Sequence, residues 1–279
     1  AYELGKLYET GCGTEKNQEK SENCYRAAFL GFLNLEKKSK DDTLWYRIGC
    51  MYLHGIGTEA DETKAEHYLT KASDYGNTHA SYQLARLYIR QESQKLSGES
   101  GTAPDYAKIA KAVKWLEESA AQENPFADYA LGRLYREGTL VVADMEKAVF
   151  HLKRAADAGN SYAQYQLGKI YLEEDNKNIP AAIQYLTLAA KQKNEFAAYR
   201  LGKLYLAGEE LPKNTELALH YLKMAADTGN QYAQYALGKV YLIGKDVQQD
   251  KELAYDYFLK SAEQGNIYAA YFLEHWNDM

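Results

Sequence analysis

The sequence has little cysteine, little proline and no long apolar run, and each shortage excludes a class of protein. Three cysteines and four prolines among 279 residues are too few for a disulfide-rich scaffold or a proline-rich disordered chain. The longest unbroken apolar stretch, residues 27–33, is far shorter than the roughly 20 residues that a transmembrane helix requires. We therefore expect no membrane-spanning segment and no membrane partner.

The cysteines also lack the spacing of a metal site or of a disulfide framework. Cys12, Cys24 and Cys50 are odd in number, lie in the first fifth of the chain and form no C-x-x-C motif. Zinc sites and disulfide scaffolds are recognised by paired or regularly spaced cysteines. The pattern favours free thiols in a reducing compartment over a cross-linked secreted chain, so we expect a cytoplasmic location.

The sequence also has no excess of positive charge. The chain carries 33 Lys and Arg against 39 Asp and Glu, a formal net charge of −6. Such a chain has no overall electrostatic attraction to nucleic acid, although a local basic patch could still provide one. We predict that it does not bind nucleic acid directly.

What the sequence does contain is a repeated unit. The stretch AQYQLGKIY at residues 163–171 recurs in similar form at 127–135, 197–205 and 233–241. The period is about 36 residues, with two longer intervals whose extra residues fall in the polar stretches 36–42 and 91–105. A unit of this size cannot bury its own apolar faces, so neighbouring units are expected to stack.

Each unit contains two helical patterns with marked ends. Residues of the types that cap helix N-termini precede the second pattern: Asp61, Asp144, Asn178, Asn214 and Asp250. Glycine followed by asparagine ends the second pattern and starts the next unit: Gly76–Asn77, Gly159–Asn160, Gly229–Asn230 and Gly265–Asn266. We predict eight first helices alternating with seven second helices. The last would run from Asn266 to about Trp276 and end in the polar residues His275, Asn277 and Asp278.

Glycine and tyrosine recur at fixed places in the first helix. Gly132, Gly168, Gly202 and Gly238 lie inside it, where glycine costs about 1 kcal/mol relative to alanine. Close approach of the second helix would offset that cost, and we expect its alanine pairs to lie opposite the glycines. Tyrosines three residues before and three residues after each glycine are expected to pack between repeats.

Residues 144–160 followed by 163–171 resemble the Sel1-like repeat, a relative of the tetratricopeptide repeat, and the resemblance covers nearly the whole chain. It implies an all-α fold, namely an α/α superhelix that forms a right-handed solenoid of stacked helix-turn-helix repeats. The implied arrangement is a single domain of about seven to eight repeats over residues 1–279, which we expect to be a segment of a longer protein. The resemblance also implies a scaffold for protein complexes rather than a reaction.

The sequence departs from the family pattern at two features. The G-x-G turn occurs only at residues 11–13 and 55–57, and the cysteine pairs of some secreted members are missing. The repeats are also similar to arrays near the carboxyl end of mobilisation relaxases of conjugative elements. That similarity suggests an alternative role as an accessory region of a DNA relaxase, although no relaxase catalytic residues occur in this segment.

No constellation of residues points to catalysis. The six histidines are dispersed, with no H-E-x-x-H motif and no pair at i, i+4. Carboxylates on the second helices alternate with lysines, which is typical of a solvated face rather than of an acid–base pair. We therefore predict no catalytic residue, no metal site and no cofactor, and we expect that the chain is not an enzyme.

One side of the first helices suggests a binding surface. The residue after each glycine is a cation, the residue six before it is aromatic, and both fall on the same side of the helix. The first helices line the concave surface in proteins of this architecture, where cations and rings would suit an extended acidic peptide. In the alternative reading, the cations only solubilise the helix and the rings only join adjacent turns. The candidate peptide-binding residues are Phe126, Arg133, Tyr162, Lys169, Phe196, Lys203, Tyr232 and Lys239.

Overall fold

The computed structural model describes residues 1–98 and 102–276, and within these ranges the chain is helical without any β-strand. This confirms the predicted all-α fold class. The contacts divide the chain into two compact units, of which unit 1 spans Ala1–Met145 and unit 2 begins at Glu146. The assignment of residues 1–279 to a single domain stays a prediction.

Unit 1 contains seven helices. They are α1 (Tyr2–Thr10), α2 (Gln18–Glu36), α3 (Asp42–His54), α4 (Glu62–Asp74), α5 (Thr78–Ser97), α6 (Tyr106–Ala121) and α7 (Pro125–Glu137). Odd-numbered helices are the first helices of the repeats and even-numbered helices are the second helices. Of the two polar stretches, 36–42 connects α2 to α3, whereas the first part of 91–105 continues α5; residues 99–101 lie outside the described ranges.

Unit 2 continues the same alternation. Its helices are α8 (Met145–Asp157), α9 (Ser161–Ile170), α10 (Ile179–Lys191), α11 (Glu195–Ala207), α12 (Thr215–Asp227), α13 (Gln231–Ile243), α14 (Lys251–Glu263) and α15 (Ile267–Glu274). A short 3-10 turn, Glu174–Asn176, separates α9 from α10. The described residues thus contain the predicted eight first and seven second helices. The last ends at Glu274, two residues earlier than expected, and Asn277 and Asp278 lie outside the described ranges.

Asparagine caps begin every first helix from α5 onward, whereas Asp41 caps α3. The side chains of Asn160, Asn194 and Asn230 each accept a hydrogen bond from the backbone N–H three residues later, at 2.9–3.0 Å. The residue before the asparagine adopts the left-handed conformation, with φ of 89° at Gly159. Lys193 takes the same conformation with φ of 62° although it is not glycine. The predicted glycine–asparagine hinge is therefore confirmed, and its backbone geometry does not depend on glycine alone.

The glycines inside the first helices accommodate a large side chain from the second helix. A Cβ atom at Gly168 would lie 2.5 Å from Cγ of Leu186, and one at Gly202 would lie 2.6 Å from Cγ of Leu222. The expectation that alanine pairs lie opposite the glycines was wrong in this respect. The close approach is real, but leucine fills the space because one branched side chain packs into the notch that glycine leaves.

Each unit has a buried core between its helices. In unit 2, Leu186, Leu222 and Phe258 have no exposed surface and belong to one apolar cluster. In unit 1, Ile48 and Met51 are buried in a separate cluster. Burying a side chain of this size contributes about 1.5–3 kcal/mol, so the helices are held mainly by this packing and not by helix propensity.

Candidate functional site

The tyrosines three residues before each first-helix glycine, which we call the first tyrosine column, connect neighbouring first helices, as predicted. In unit 2 the ring of Tyr165 in α9 lies 5.9 Å from Phe196 at the start of α11. The ring of Tyr199 in α11 lies 6.1 Å from Tyr232 at the start of α13. These contacts place α9, α11 and α13 side by side, so the candidate aromatic residues of unit 2 lie along one surface.

The tyrosines three residues after each first-helix glycine form a second column, and they do not pack between repeats as predicted. Tyr205 in α11 stacks on Tyr221 in α12 at 6.0 Å, and Tyr241 in α13 stacks on Tyr257 in α14 at 6.0 Å. Both pairs lie within one helix pair and not between repeats. The reason is positional, because three residues after the glycine the ring faces the second helix that packs against that glycine.

The candidate aromatic side chains are only partly covered. Their exposed fractions are 60% for Phe126, 58% for Tyr162, 44% for Phe196 and 53% for Tyr232. In unit 2 one edge of each of the latter two rings packs on the preceding repeat while the remainder faces solvent. The rings therefore make the contacts expected if they only join neighbouring elements. They also leave apolar area that a ligand could cover.

The candidate lysines of unit 2 lie beside this aromatic column. The ammonium of Lys169 lies 5.7 Å from the centre of the Tyr165 ring, and that of Lys239 lies 5.8 Å from Tyr235. Lys203 holds the same position in α11 and is exposed. A cation over a ring face is held weakly, at about 0.5–1 kcal/mol when exposed, so the exposed ammonium of Lys239 can exchange its ring contact for a stronger anionic partner.

Phe126 and Arg133 occupy the corresponding positions of α7 in unit 1. The Nε and Nη2 atoms of Arg133 donate to Oε1 of Glu137 at 3.0 and 2.7 Å. Partial burial lowers the pKa of Arg133, but the hydrogen bonds and charge of Glu137 outweigh it and raise the pKa overall. Arg133 is therefore already paired with a carboxylate of its own helix.

The structure brings Lys203 and Lys239 to a common cavity. This cavity has a volume of about 290 Å³ and lies between α11, α13 and the loop that follows α13. We call it the α11–α13 pocket. Its lining consists of Tyr199, Lys203, Leu206, Tyr235, Ala236, Lys239, Val240, Ile243, Lys245 and Asp246.

Sequence reasoning missed several residues of the α11–α13 pocket. Lys245 and Asp246 belong to a loop, and only the fold carries that loop back to the helices. Ile243 did carry a signal, because it directly precedes Gly244 where other units have Thr10, His54, Glu137 or the small residue Ala207. A large apolar side chain at this helix end, 61% exposed, indicates an uncovered apolar wall.

The charge at the α11–α13 pocket is positive although the whole chain is acidic. Three lysines line it, and Asp246 is the one acidic residue among the lining residues. Oδ1 of Asp246 accepts a hydrogen bond from Nζ of Lys213 at 2.6 Å. Its charge is therefore balanced by a lysine outside the lining, and the pocket lysines keep a net attraction for anions.

Metal-binding and membrane-spanning features are absent from residues 1–98 and 102–276. Within these ranges no group of three or more His, Cys, Asp or Glu side chains could hold a metal ion. No described helix combines the length and the hydropathy needed to cross a bilayer. Cys12, Cys24 and Cys50 are free thiols.

Known proteins share this repeat geometry. The Sel1 repeat profile matches residues 1–30, 46–77, 78–124, 125–160, 161–194, 196–230 and 231–266. The structure is similar to c5321, a protective antigen of uropathogenic Escherichia coli strains with an SLR fold. That similarity has a TM-score of 0.70 and 27% identity, and it covers 96% of this chain and 54% of the antigen. This chain therefore spans about half the length of the antigen.

A second solved structure has the same fold, and the similarity covers a larger share of that protein's own length. The Sel1 repeat protein from Oxalobacter formigenes is similar with a TM-score of 0.71 and 26% identity, over 99% of this chain and 75% of that protein. Proteins with these repeats generally act as scaffolds for protein–protein interaction. Because the repeat profile covers most of the sequence and both structures share the fold, the chain belongs to the Sel1 repeat family.

Proposed function

We propose that this protein is a non-enzymatic interaction scaffold that holds an acidic peptide segment of a partner protein on its first helices. The observation that carries the proposal is the alternation of partly exposed rings and lysines along α9, α11 and α13. The pairs, one repeat apart, are Tyr162 with Lys169, Phe196 with Lys203 and Tyr232 with Lys239. The rings would supply buried apolar area, and the lysines would supply ion pairs to carboxylates.

The rings are already packed in place before a ligand binds, and this supports the proposed function. Phe196 and Tyr232 already rest on Tyr165 and Tyr199 of the preceding repeat. Immobilising a free side chain on binding costs about 0.5–1.5 kcal/mol, and rings that are already packed avoid much of that cost. The contacts that join the repeats therefore also prepare the surface for a ligand.

In unit 1 we assign Phe126 and Arg133 a weaker part in the same function. Phe126 offers exposed apolar area in α7. Arg133 would have to exchange the carboxylate of Glu137 for one from the peptide, which leaves little net gain in ion pairing. Replacing Arg133 should therefore weaken binding less than replacing Lys239 of unit 2.

A peptide selection tests the proposal without requiring a named partner. A phage-displayed library of random peptides is selected on the purified chain, and enriched peptides are synthesised with a fluorophore. We expect enrichment of acidic peptides whose affinity falls as salt rises. The variant Lys169→Glu, Lys203→Glu, Lys239→Glu should abolish binding while its thermal midpoint stays within a few degrees of the wild type.

A charge-matched variant on the second helices serves as the control. Lys153→Glu, Lys191→Glu, Lys260→Glu makes the same change in net charge at exposed positions of α8, α10 and α14. Binding by this control should remain close to that of the wild type. A selection without acidic enrichment, or equal binding by the two triple variants, contradicts the proposal.

The proposal includes a cytoplasmic location, which the three free thiols support. Fractionation of the native cells with detection of the full-length protein checks this point. The alternative role in a DNA relaxase stays a prediction from sequence similarity. No contact or charge pattern in the described residues favours that role over peptide binding.

A further inference from the structure

The walls of the α11–α13 pocket are mainly apolar. Leu206, Val240 and Ile243 line it together with the rings of Tyr199 and Tyr235. Its volume of about 290 Å³ is at the lower end of ligand pockets. A cavity of this size and composition suits the insertion of an apolar side chain and not the binding of a large cofactor.

The open side of the pocket leaves apolar area in contact with water. Ile243 is 61% exposed at the last turn of α13, and the neighbouring Val240 is only partly buried. Removing apolar surface from water is favourable by about 25 cal/mol per Å². An inserted side chain would therefore gain from covering this wall, which no described residue of the chain covers.

The charges around the pocket limit what can enter. Lys203 lies on α11, Lys239 on α13, and Lys245 on the loop after α13, so lysine residues line the pocket from three different elements. Asp246 cannot neutralise them fully because Lys213 holds it at 2.6 Å. A basic or neutral hydrophobic ligand would leave this charge unmatched. A ligand with carboxylates on both sides of its apolar group would match it.

We propose that the α11–α13 pocket takes one apolar side chain of an acidic peptide, so that the ligand motif is a leucine-like residue with carboxylates before and after it. This inference rests on the proposed function and adds its sequence specificity. Val240, Ile243 and Leu206 select the apolar residue. Lys203, Lys239 and Lys245 bind the flanking carboxylates. The rings and lysines of the other repeats then add contacts and charge, but they discriminate less among peptide sequences.

A set of synthetic peptides tests the motif by fluorescence anisotropy. The first peptide has a central leucine with two glutamates on each side; in the second, serine replaces the leucine; in the third, glutamine replaces the glutamates. Because loss of an apolar group from a fitted pocket costs about tenfold or more in affinity, the leucine peptide should bind at least about tenfold more tightly than the serine peptide. The glutamine peptide should not bind measurably.

Two variants locate the effect in the pocket. Ile243→Ser removes the exposed wall, and because Ile243 is mostly exposed, its replacement should not affect folding. Ala236→Phe fills the cavity from a partly buried position, and its fold is checked by circular dichroism. Each should reduce the preference for leucine over serine to less than about threefold. Lys239→Glu should instead weaken binding of both peptides alike.

The outcomes separate this inference from the proposed function. Equal affinity for the leucine and serine peptides, or a leucine preference that survives both pocket variants, overturns the pocket assignment. Failure of the leucine peptide to bind overturns it as well. In each case the library selection with the triple lysine variant still decides whether the first helices bind acidic peptides at all.

Discussion

Among single residues, the glycines of the first helices show how one missing Cβ atom decides the packing. At Gly202 a Cβ would lie 2.6 Å from Cγ and 2.8 Å from Cδ2 of Leu222, which is completely buried. Helix propensity alone favours alanine over glycine by about 1 kcal/mol. Overpacking a tight core costs about 1–3 kcal/mol, so the contact with Leu222 outweighs the propensity.

The variant Gly202→Ala is therefore expected to lower the free energy of unfolding by up to about 2 kcal/mol, which is the overpacking cost less the propensity gain of about 1 kcal/mol. Urea unfolding should show a lower midpoint with an unchanged slope. Gly31→Ala in α2 is the matched control, because no heavy atom lies within 4 Å of its added Cβ. That control should raise stability by up to about 1 kcal/mol. Stabilisation by Gly202→Ala would refute the packing argument.

Among the elements, the junction of α5 and α6 depends on a buried carboxylate. Glu92 has no exposed surface, and both of its oxygens lie 2.8 Å from Nζ of Lys95. Its Oε2 also accepts a hydrogen bond from the backbone N–H of Asp105, the N-cap residue of α6, at 2.7 Å. Burial raises the pKa of Glu92, but these bonds outweigh burial and leave the pKa below its usual value. Glu92 therefore ties the end of one helix to the start of the next.

We expect Glu92→Gln to destabilise the protein by about 1–3 kcal/mol at pH 7, because it removes charge-assisted hydrogen bonds at a buried site. Since the folded-state pKa is depressed, the contribution of Glu92 is fully present above the unfolded pKa of about 4.3. It is lost as pH falls through the folded-state value. Urea midpoints of wild type and variant should therefore begin to converge as pH falls below the unfolded pKa and meet once pH is below the folded-state pKa.

Glu118→Gln provides the comparison for that experiment. Glu118 pairs with Lys114 at 3.8 Å on the surface of α6, with more than half of each side chain exposed. Surface pairs of this kind contribute about 0.2–1 kcal/mol or less. A pH-independent difference between Glu92→Gln and wild type would contradict the role of the ionised carboxylate.

For the whole molecule, overall and local charge have opposite signs. The net charge is −6, yet the lysines of unit 2 form a local positive surface along the first helices. Long-range attraction follows the net charge, whereas specific pairing follows the local arrangement. A short acidic peptide can match the local surface, while a long polyanion also meets the acidic remainder of the chain.

We accordingly predict little or no binding of single-stranded DNA at physiological salt. A fluorescent oligonucleotide of about 20 nucleotides should show no anisotropy change under conditions in which an enriched acidic peptide binds. The three lysines would neutralise few phosphates, and each neutralised phosphate contributes a salt slope of only about −0.7 for single strands. Tight DNA binding with a steep salt dependence would instead favour the accessory role in a relaxase.

The sequence by itself determined the repeat, the helix order and the caps. These features follow from signals within about one repeat: the apolar period, the asparagine caps and the left-handed turns. The same signals placed the rings and lysines of α9, α11 and α13 on one side of their helices. Whether this surface binds a peptide stays a proposal, because helical spacing is the same for a binding face and for a solvated one.

Only the tertiary structure decided which side chains meet across the helices. It placed Leu186 and not an alanine pair against Gly168, and it buried Glu92 at a helix junction. It also brought Lys245 to the same pocket as Lys203. These contacts join residues from different helices and loops, so they depend on packing distances and loop paths that no periodic pattern specifies.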